Sequence, residues 1–299
     1  MKAKSVKERA KEVMFGVPFL GGWIEERIFR SRWKTELRLL DGEDFSESSH
    51  PSILHLSLNR SASQWVKSVL RRCAEPEGIV HVRWNEMAFS SEYPYLDKLG
   101  SVENYEQIFH KEGYLYSAFG GYPAGIPELE KFKVVLVVRD PRDILVSKYF
   151  SKRDSHGAPP PESNKRGEFL RDRRAVMEKP IDEFVLERSD KILAYYNRYI
   201  NELLSRHMDV YVTRYEDMVS DVETWLDQLL AYVELSPSQE LRKEIIEEAL
   251  SIQSKEEDKM AHNRKGRPGD HREKLQPATV KELNDVFDHV LDRFGYDKV

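Results

Sequence analysis

Three short stretches of the 299-residue chain carry the residue types that grip a phosphate-like anion. In the first, a β-type run, Ser52-Ile-Leu-His-Leu-Ser57, feeds the polar turn Leu58-Asn59-Arg60-Ser61-Ala62-Ser63-Gln64, and a helix is expected from Trp65 to Cys73. A strand-to-helix turn presents unpaired backbone N–H groups and the positive end of the helix dipole to an anion. Arg60 adds a fixed charge, and Ser61 and Ser63 add hydroxyl donors. An ordinary helix cap explains this turn equally well when it is taken alone. In the second stretch, Arg139-Asp140-Pro141-Arg142-Asp143 follows Val134-Val-Leu-Val-Val138, the strongest strand pattern in the chain. Asp is a good helix N-cap and Pro a good first helical residue, so a helix begins here, with Asp143 and Ser147 on one face. Arg139 at the strand end reads as an ion-pair partner by itself and, with Ser147 downstream, as a phosphate clamp. The third stretch, Asn263-Arg264-Lys265-Gly266-Arg267-Pro268-Gly269-Asp270-His271, is a basic, glycine-containing loop. It reads either as a solvated surface loop or as backbone free to approach an oxyanion.

Together the three stretches resemble the sulfotransferase family that uses 3′-phosphoadenosine-5′-phosphosulfate (PAPS), over roughly residues 50–275. The resemblance implies that Arg60-Ser61-Ala62-Ser63-Gln64 wraps the 5′-phosphosulfate and that Trp65 stacks on the adenine. It further implies that Arg139 and Ser147 bind the 3′-phosphate, with Arg264, Lys265 and Gly266, and that Tyr215 of Tyr-Glu-Asp-Met contacts the adenine. The implied reaction is in-line displacement at sulfur by a hydroxyl, or alternatively an amine, of the acceptor, releasing 3′-phosphoadenosine-5′-phosphate (PAP) with no metal required. Ala62 replaces the family's usual Gly, so its backbone is expected to avoid positive φ. His271 stands where the signature has Trp, a change expected to alter packing more than donor chemistry. The catalytic His that soluble members carry on the strand before the central one is absent from Gly113-Tyr-Leu-Tyr-Ser-Ala-Phe-Gly120. A hydroxyl acceptor needs a general base, and Glu86 is the first choice, placed soon after the first helix as in some other sulfotransferases. His81 is the second choice, with His110 and Tyr116 as outsiders. The alternatives are a PAP- or PAPS-binding module without turnover and a P-loop-type kinase. The absence of GxxxxGK[S/T] counts against the kinase.

Strands alternating with helices position these turns. A third strand, Val210-Tyr-Val212, leads into Thr213-Arg214-Tyr215-Glu216-Asp217 and another helix. The pattern implies an α/β fold: a central parallel β-sheet flanked by helices, with ligands at the C-terminal strand ends. By resemblance this is the P-loop-NTPase-like sulfotransferase fold. Residues 152–174, charged and containing three consecutive prolines, are expected as a mobile loop, either a substrate lid or a surface excursion. Residues 181–204 read as an amphipathic helix with Phe184, Val185, Ile192, Tyr196, Tyr199, Ile200 and Leu203 on its apolar side. The expected domains are an N-terminal helical extension, 1–50, and a sulfotransferase domain, 51–299. The extension is basic, with ten Lys and Arg against five Glu in its first 40 residues. It reads as a segment packed through Phe15, Phe19, Trp23, Ile28 and Trp33, or as an interfacial or partner-binding arm.

A net charge of −5 disfavours a nucleic-acid partner, so anions must be held by local clusters. The apolar run at 13–24 is too short to span a bilayer, and Glu8 and Glu12 argue against a signal peptide. Cys73 is the single cysteine, which excludes an intramolecular disulfide and disfavours a Cys-based zinc site. A cytoplasmic enzyme with a small-molecule acceptor is expected, and a homodimer is compatible with the sequence. Trp84, Phe89, Tyr93, Tyr95, Phe119 and Tyr122 read as an apolar acceptor pocket or as plain core.

Overall fold

Five short runs of β-prone residues become strands in the computed structural model, which describes residues 21–58, 60–91, 93–96, 102–155, 157–158, 165–206, 209–253 and 268–298. They are β1 (Ile53–Ser57), β2 (Val80–Val82), β3 (Tyr114–Phe119), β4 (Lys133–Val138) and β5 (Val210–Arg214). They form one parallel sheet in the order β2-β3-β1-β4-β5. β3 takes β1 on one side, pairing Ile53 with Leu115 and Leu54 with Tyr116, and β2 on the other, pairing Val80 with Tyr114. A bulge between Leu54 and Leu56 shifts the β1 register by one residue before Leu56 meets Phe119. All of β1 and five of the six residues of β4 are buried, as expected of central parallel strands covered on both faces.

The sheet order fixes where a ligand can sit. From β1 the chain turns toward β2 on one side of the sheet, and from β4 it turns toward β5 on the other. The C-terminal ends of these adjacent strands therefore flank a topological switch point, where the connecting turns diverge and leave a crevice. The two turns there are those of Arg60 and Arg139.

Helix α1 (Gly21–Arg32) and helix α2 (Lys34–Leu40) precede the sheet, and α3 (Ser63–Ala74) follows β1. α4 (Trp84–Ser90) and α5 (Val102–Ile108) join β2 to β3. α6 (Pro141–Phe150), α7 (Lys165–Met177) and α8 (Ile181–Arg198) join β4 to β5. After β5 come α9 (Tyr215–Ser220), α10 (Val222–Val233), α11 (Gln239–Gln253), α12 (Asp270–Lys274), α13 (Pro277–Val286) and α14 (Asp288–Phe294). No helix among the described residues is long and apolar enough to cross a membrane.

Packing divides the chain into two compact units, one drawn from residues 1–56 and 67–135, the other from 57–66 and 136–299. In the first unit, Leu54, Leu56, Leu115, Tyr116 and Trp84 are fully buried. Trp33 joins this core, and the buried Glu36 carboxylate accepts from the Arg83 amide at 2.6 Å, while Arg83 Nη2 donates to the Arg32 carbonyl at 2.9 Å. Burial raises the Glu36 pKa against that hydrogen bond. Ile28, expected to pack, is 62% exposed because it lies on the open side of α1; Phe15, Phe19 and the Trp23 side chain lie outside the described residues.

In the second unit, α8 buries Phe184, Val185, Ile192 and Tyr196 along the expected stripe. It runs on through a π-helical turn, Tyr199–Leu204, where Tyr199 and Leu203 are buried. Among its described residues, the expected loop at 152–174 is largely helical instead. α6 continues through a π-helical turn, Ser151–Ser155, and α7 begins at Lys165. Lys152 pairs with Asp172 at 2.6 Å, and Arg173 Nε donates to the Lys152 carbonyl at 3.0 Å. Arg, Lys, Glu and Leu are good helix formers, so high charge alone is no loop signal. The proline run lies outside the described residues.

The turn between β1 and α3 overturns one expectation about its backbone. Ala62 sits in the left-handed region at φ +57°, and Arg60 does so at φ +83°. The reason is local: Ser61 N donates to the Leu58 carbonyl at 3.2 Å, while the Ala62 carbonyl accepts from Trp65 N at 2.9 Å and Val66 N at 3.1 Å. The chain must close one turn and open the helix within three residues, which only a left-handed residue allows. Each non-glycine residue held this way costs about 1–2 kcal/mol, a strain tolerated where function needs the geometry. Gly is free of that cost but loses about 0.5–1 kcal/mol of chain entropy. Ala62→Gly is therefore expected to be neutral to stabilising, by up to about 1 kcal/mol, read as a rise in Tm of up to about 3 °C; a clear loss of Tm would contradict the strain assignment.

Candidate active site

In the second unit, the first two anion-gripping turns meet. Asp140 caps α6 by accepting from Arg142 N at 2.9 Å, and Pro141 takes the first helical position. This cap sets Arg139 at the strand end with its side chain buried. Arg139 Nη1 donates to the Arg60 carbonyl at 2.7 Å, and Arg60 Nε donates to Ser147 Oγ at 3.1 Å. The Arg139 guanidinium also lies over the Tyr215 ring at 4.3 Å, a cation–π contact at the start of α9. Tyr196 from α8 locks the Arg139 backbone, its hydroxyl bonding both the amide and the carbonyl. Arg60, Arg139, Ser147 and Tyr215 therefore form one cluster, assembled from the turns after β1 and β4, from α6 and from the start of α9.

Two donors in this cluster remain unspent. Ser61 Oγ and Arg139 Nε are buried and have no hydrogen-bond partner among the described residues. Buried donors left unpaired are costly unless a ligand completes them. Ser63 and Gln64 occupy the first turn of the 12-residue α3, where the backbone N–H groups lack intrahelical acceptors. Trp65 is half-buried and packs on Trp225 at 5.3 Å, and Trp225 is fixed in turn by Thr213 Oγ1 at 2.8 Å.

The third stretch reaches the same cluster through Asp143. Its buried carboxylate accepts from Gly269 N at 2.7 Å, from His271 N at 3.0 Å and from His271 Nδ1 at 2.7 Å. Arg139 Nη2 lies 3.8 Å away. Burial opposes the charge, but the His271 and Arg139 interactions outweigh it and hold the Asp143 carboxyl well below the usual carboxylate range. His271 thus keeps a ring N–H donor at the position where the signature has Trp, and directs it to the carboxylate that anchors the loop. Arg264, Lys265 and Gly266 lie outside the described residues.

In the first unit, Glu86 is the half-exposed acid of α4. Lys67 Nζ donates to its Oε1 at 2.5 Å, and Arg83 Nη1 lies 3.9 Å from Oε2. His81 on β2 is pushed down to about 4 by burial and then by Lys67. Sequence reasoning passed over His55, the fully buried middle residue of β1. Its Nδ1 lies 2.9 Å from Ser117 Oγ, and burial, with Lys67 and His81 nearby, pushes it down to about 3. Ser117 belongs to the β3 stretch that lacks the family's His, and the signal was a histidine in an otherwise apolar, buried strand. Of the outsiders, Tyr116 is committed to structure: its hydroxyl donates to the Ile108 carbonyl and accepts from the His110 backbone N–H, both at 2.8 Å. Trp84, Tyr93, Phe119 and Tyr122 are core, whereas Phe89 is 44% exposed. Among the described residues, no group of three or more His, Cys, Asp and Glu is placed to hold a metal ion.

The sulfotransferase domain family matches residues 51–295, which include every turn described above. The chain belongs to the sulfotransferase family. It is an enzyme of sulfuryl transfer. No curated protein sequence matches it. Among solved structures it is similar to mouse sulfotransferase SULT7A1 complexed with PAP, at 16% identity and TM-score 0.48, covering 86% of this chain and 89% of that one. It is also similar to retinol dehydratase in complex with androsterone and inactive cofactor PAP, at 15% identity and TM-score 0.44, covering 85% and 83%.

The buried Asp143 pairing makes stability depend on pH in a defined direction. A carboxylate whose folded pKa is depressed contributes fully above its unfolded value, about 3.9, and loses that contribution as pH falls below it. Asp143→Asn is expected to cost about 3 kcal/mol near neutrality and to flatten the fall of Tm between about pH 5 and pH 2. Parallel Tm–pH curves for the two proteins would show that Asp143 is not the anchor.

Proposed function

We propose that this sulfotransferase modifies a hydroxyl group on a small-molecule acceptor. In this reading the turn Arg60-Ser61-Ala62-Ser63-Gln64 holds the 5′-phosphosulfate and Trp65 the adenine. Arg139 and Ser147 hold the 3′-phosphate with Arg264, Lys265 and Gly266, and Tyr215 steadies Arg139 beside the adenine. The observation that carries it is the linkage of Arg139, Arg60 and Ser147 through two hydrogen bonds, beside the unspent donors Ser61 Oγ and Arg139 Nε. Those donors fit a ligand rich in anionic oxygens.

When bound, PAPS supplies an electrophilic sulfuryl group on a phosphate leaving group. The chain contributes positioning and charge stabilisation, as in phosphoryl transfer. Arg60 and the α3 amides offset charge on the departing phosphate. The acceptor oxygen bonds to sulfur, the bond from sulfur to the phosphate oxygen breaks, and the hydroxyl proton passes to a base. Glu86 is the proposed base, its carboxylate oriented by Lys67. His81 ranks second, because a histidine pushed down to about 4 is neutral at pH 7 but a weak proton acceptor.

The family match beginning at residue 51 supports a division into an extension, 1–50, and a catalytic domain, 51–299. A single, buried cysteine, Cys73, is in keeping with a cytoplasmic enzyme.

Incubation with PAPS and a metabolite library, read by mass spectrometry, should reveal an acceptor that gains one sulfuryl group. With that acceptor, Glu86→Gln should lower kcat by about 10²–10³-fold and leave the KM for PAPS unchanged. Full turnover in Glu86→Gln would remove it as the base, and a matching loss in His81→Asn would transfer the role. PAP binding without turnover of any acceptor would instead favour a nucleotide-binding module.

A further inference from the structure

A group of cations in the second unit has no role in the reading above. Lys148 follows Ser147 on α6 but lies about 100° around the helix from it, so it leaves the face that carries the 3′-phosphate clamp. It is half-buried and has no hydrogen bond or ion pair among the described residues. Its surroundings are cationic: burial, then Lys191, Arg188, Lys152 and Arg60, push its pKa down to about 8. Arg188 and Lys191 are three residues apart, on one face of α8, which packs along α6. The Arg188 guanidinium rests on the Phe184 ring at 4.7 Å, and its buried Nε has no partner among the described residues. Lys191 is exposed, which leaves the group open to solvent. Two acids bear on Arg188, and both are already paired: Asp172 with Lys152 at 2.6 Å, and Glu187 with Lys179.

Like charges brought together in a partly buried site raise the free energy of the folded chain unless an anion joins them. The donor's phosphates are already met by Arg60, Arg139, Ser147 and the α3 amides. We propose that Lys148, Arg188 and Lys191 seat an anionic group of the acceptor, a carboxylate, sulfate or phosphate, so that the enzyme acts on hydroxyl compounds that already carry a negative charge. The proposal rests on the sulfotransferase reading and names the acceptor class. Arg60 is the cation shared between donor and acceptor charge, since it reaches Ser147 and also bears on Lys148.

Calorimetry on the full chain saturated with PAP tests this, because the donor phosphates are then in place. The probes are glucose 6-sulfate, glucose 6-phosphate and 4-hydroxybenzoate, with glucose and phenol as uncharged counterparts. At least one anionic probe should bind about tenfold or more tightly than its counterpart. The pair Lys148→Met with Lys191→Ala should abolish that preference and change PAP affinity less than about twofold. Lys191→Ala alone, an exposed site, should show a partial loss with Tm unchanged, which separates binding from folding. Equal binding of charged and uncharged probes overturns the proposal. So does a fall in PAP affinity in step with the lost preference, which would assign the cations to the donor. Failure of the wild-type chain to bind PAP would strike at the donor reading itself, and the acceptor proposal would fall with it.

Discussion

The site depends on one buried charge contact, Arg139 with Asp143 at the mouth of the central strand. Neither group could be left alone there, because an isolated buried charge is penalised by several kcal/mol. Each therefore recruits further partners, and those partners are the site. Asp143 gathers the amides of Gly269 and His271 and the His271 ring. Arg139 donates to the Arg60 carbonyl and covers Tyr215. Segments far apart in sequence are thus held at one strand end by electrostatics, not by apolar packing alone. The same logic explains why a donor is left over. Arg139 Nε has no hydrogen-bond partner among the described residues, and it is the feature a phosphate would complete.

The turn that carries Arg60 shows what the geometry demands of the backbone. Two left-handed residues in three positions bend the chain sharply between β1 and α3. That bend leaves the first amides of α3 unoccupied and buries the Ser61 hydroxyl, so strain and unsatisfied donors occur together. The strain is held by the turn itself, and the unpaired donors are ones that an anion would complete, as expected of a preorganised site.

Much of this was legible in the residues. Val134-Val-Leu-Val-Val138 could only be a central strand, and Asp140-Pro141 announced its helix by cap chemistry. Arg60, Arg139, Ser147 and Tyr215 were read as one site, and two hydrogen bonds and a cation–π contact join them. Other features had no local signal. Ala62 was misjudged because a residue's intrinsic preference says nothing of the turn closing on either side of it. The pairing of His271 with Asp143 had no local signal, because the two are distant in sequence and meet only after β4, α6 and α12 have packed. His55 passed as core because a buried strand shows no periodicity that would set one polar residue apart. The helix α7 was hidden by a charged composition that helices and loops share. The cations of α8 were hidden in its polar face, where charges ordinarily meet only water.

The central claim is that Arg139 and Ser147 select a nucleotide with a 3′-phosphate. Titration calorimetry comparing PAP with adenosine 5′-phosphate, which lacks that group, tests it most directly. Two charge-assisted contacts are worth about 3 kcal/mol or more together, so PAP should bind about 100-fold tighter, and Arg139→Ala should erase most of the difference. Equal affinity for the two nucleotides, or a preference that survives Arg139→Ala intact, would contradict the account.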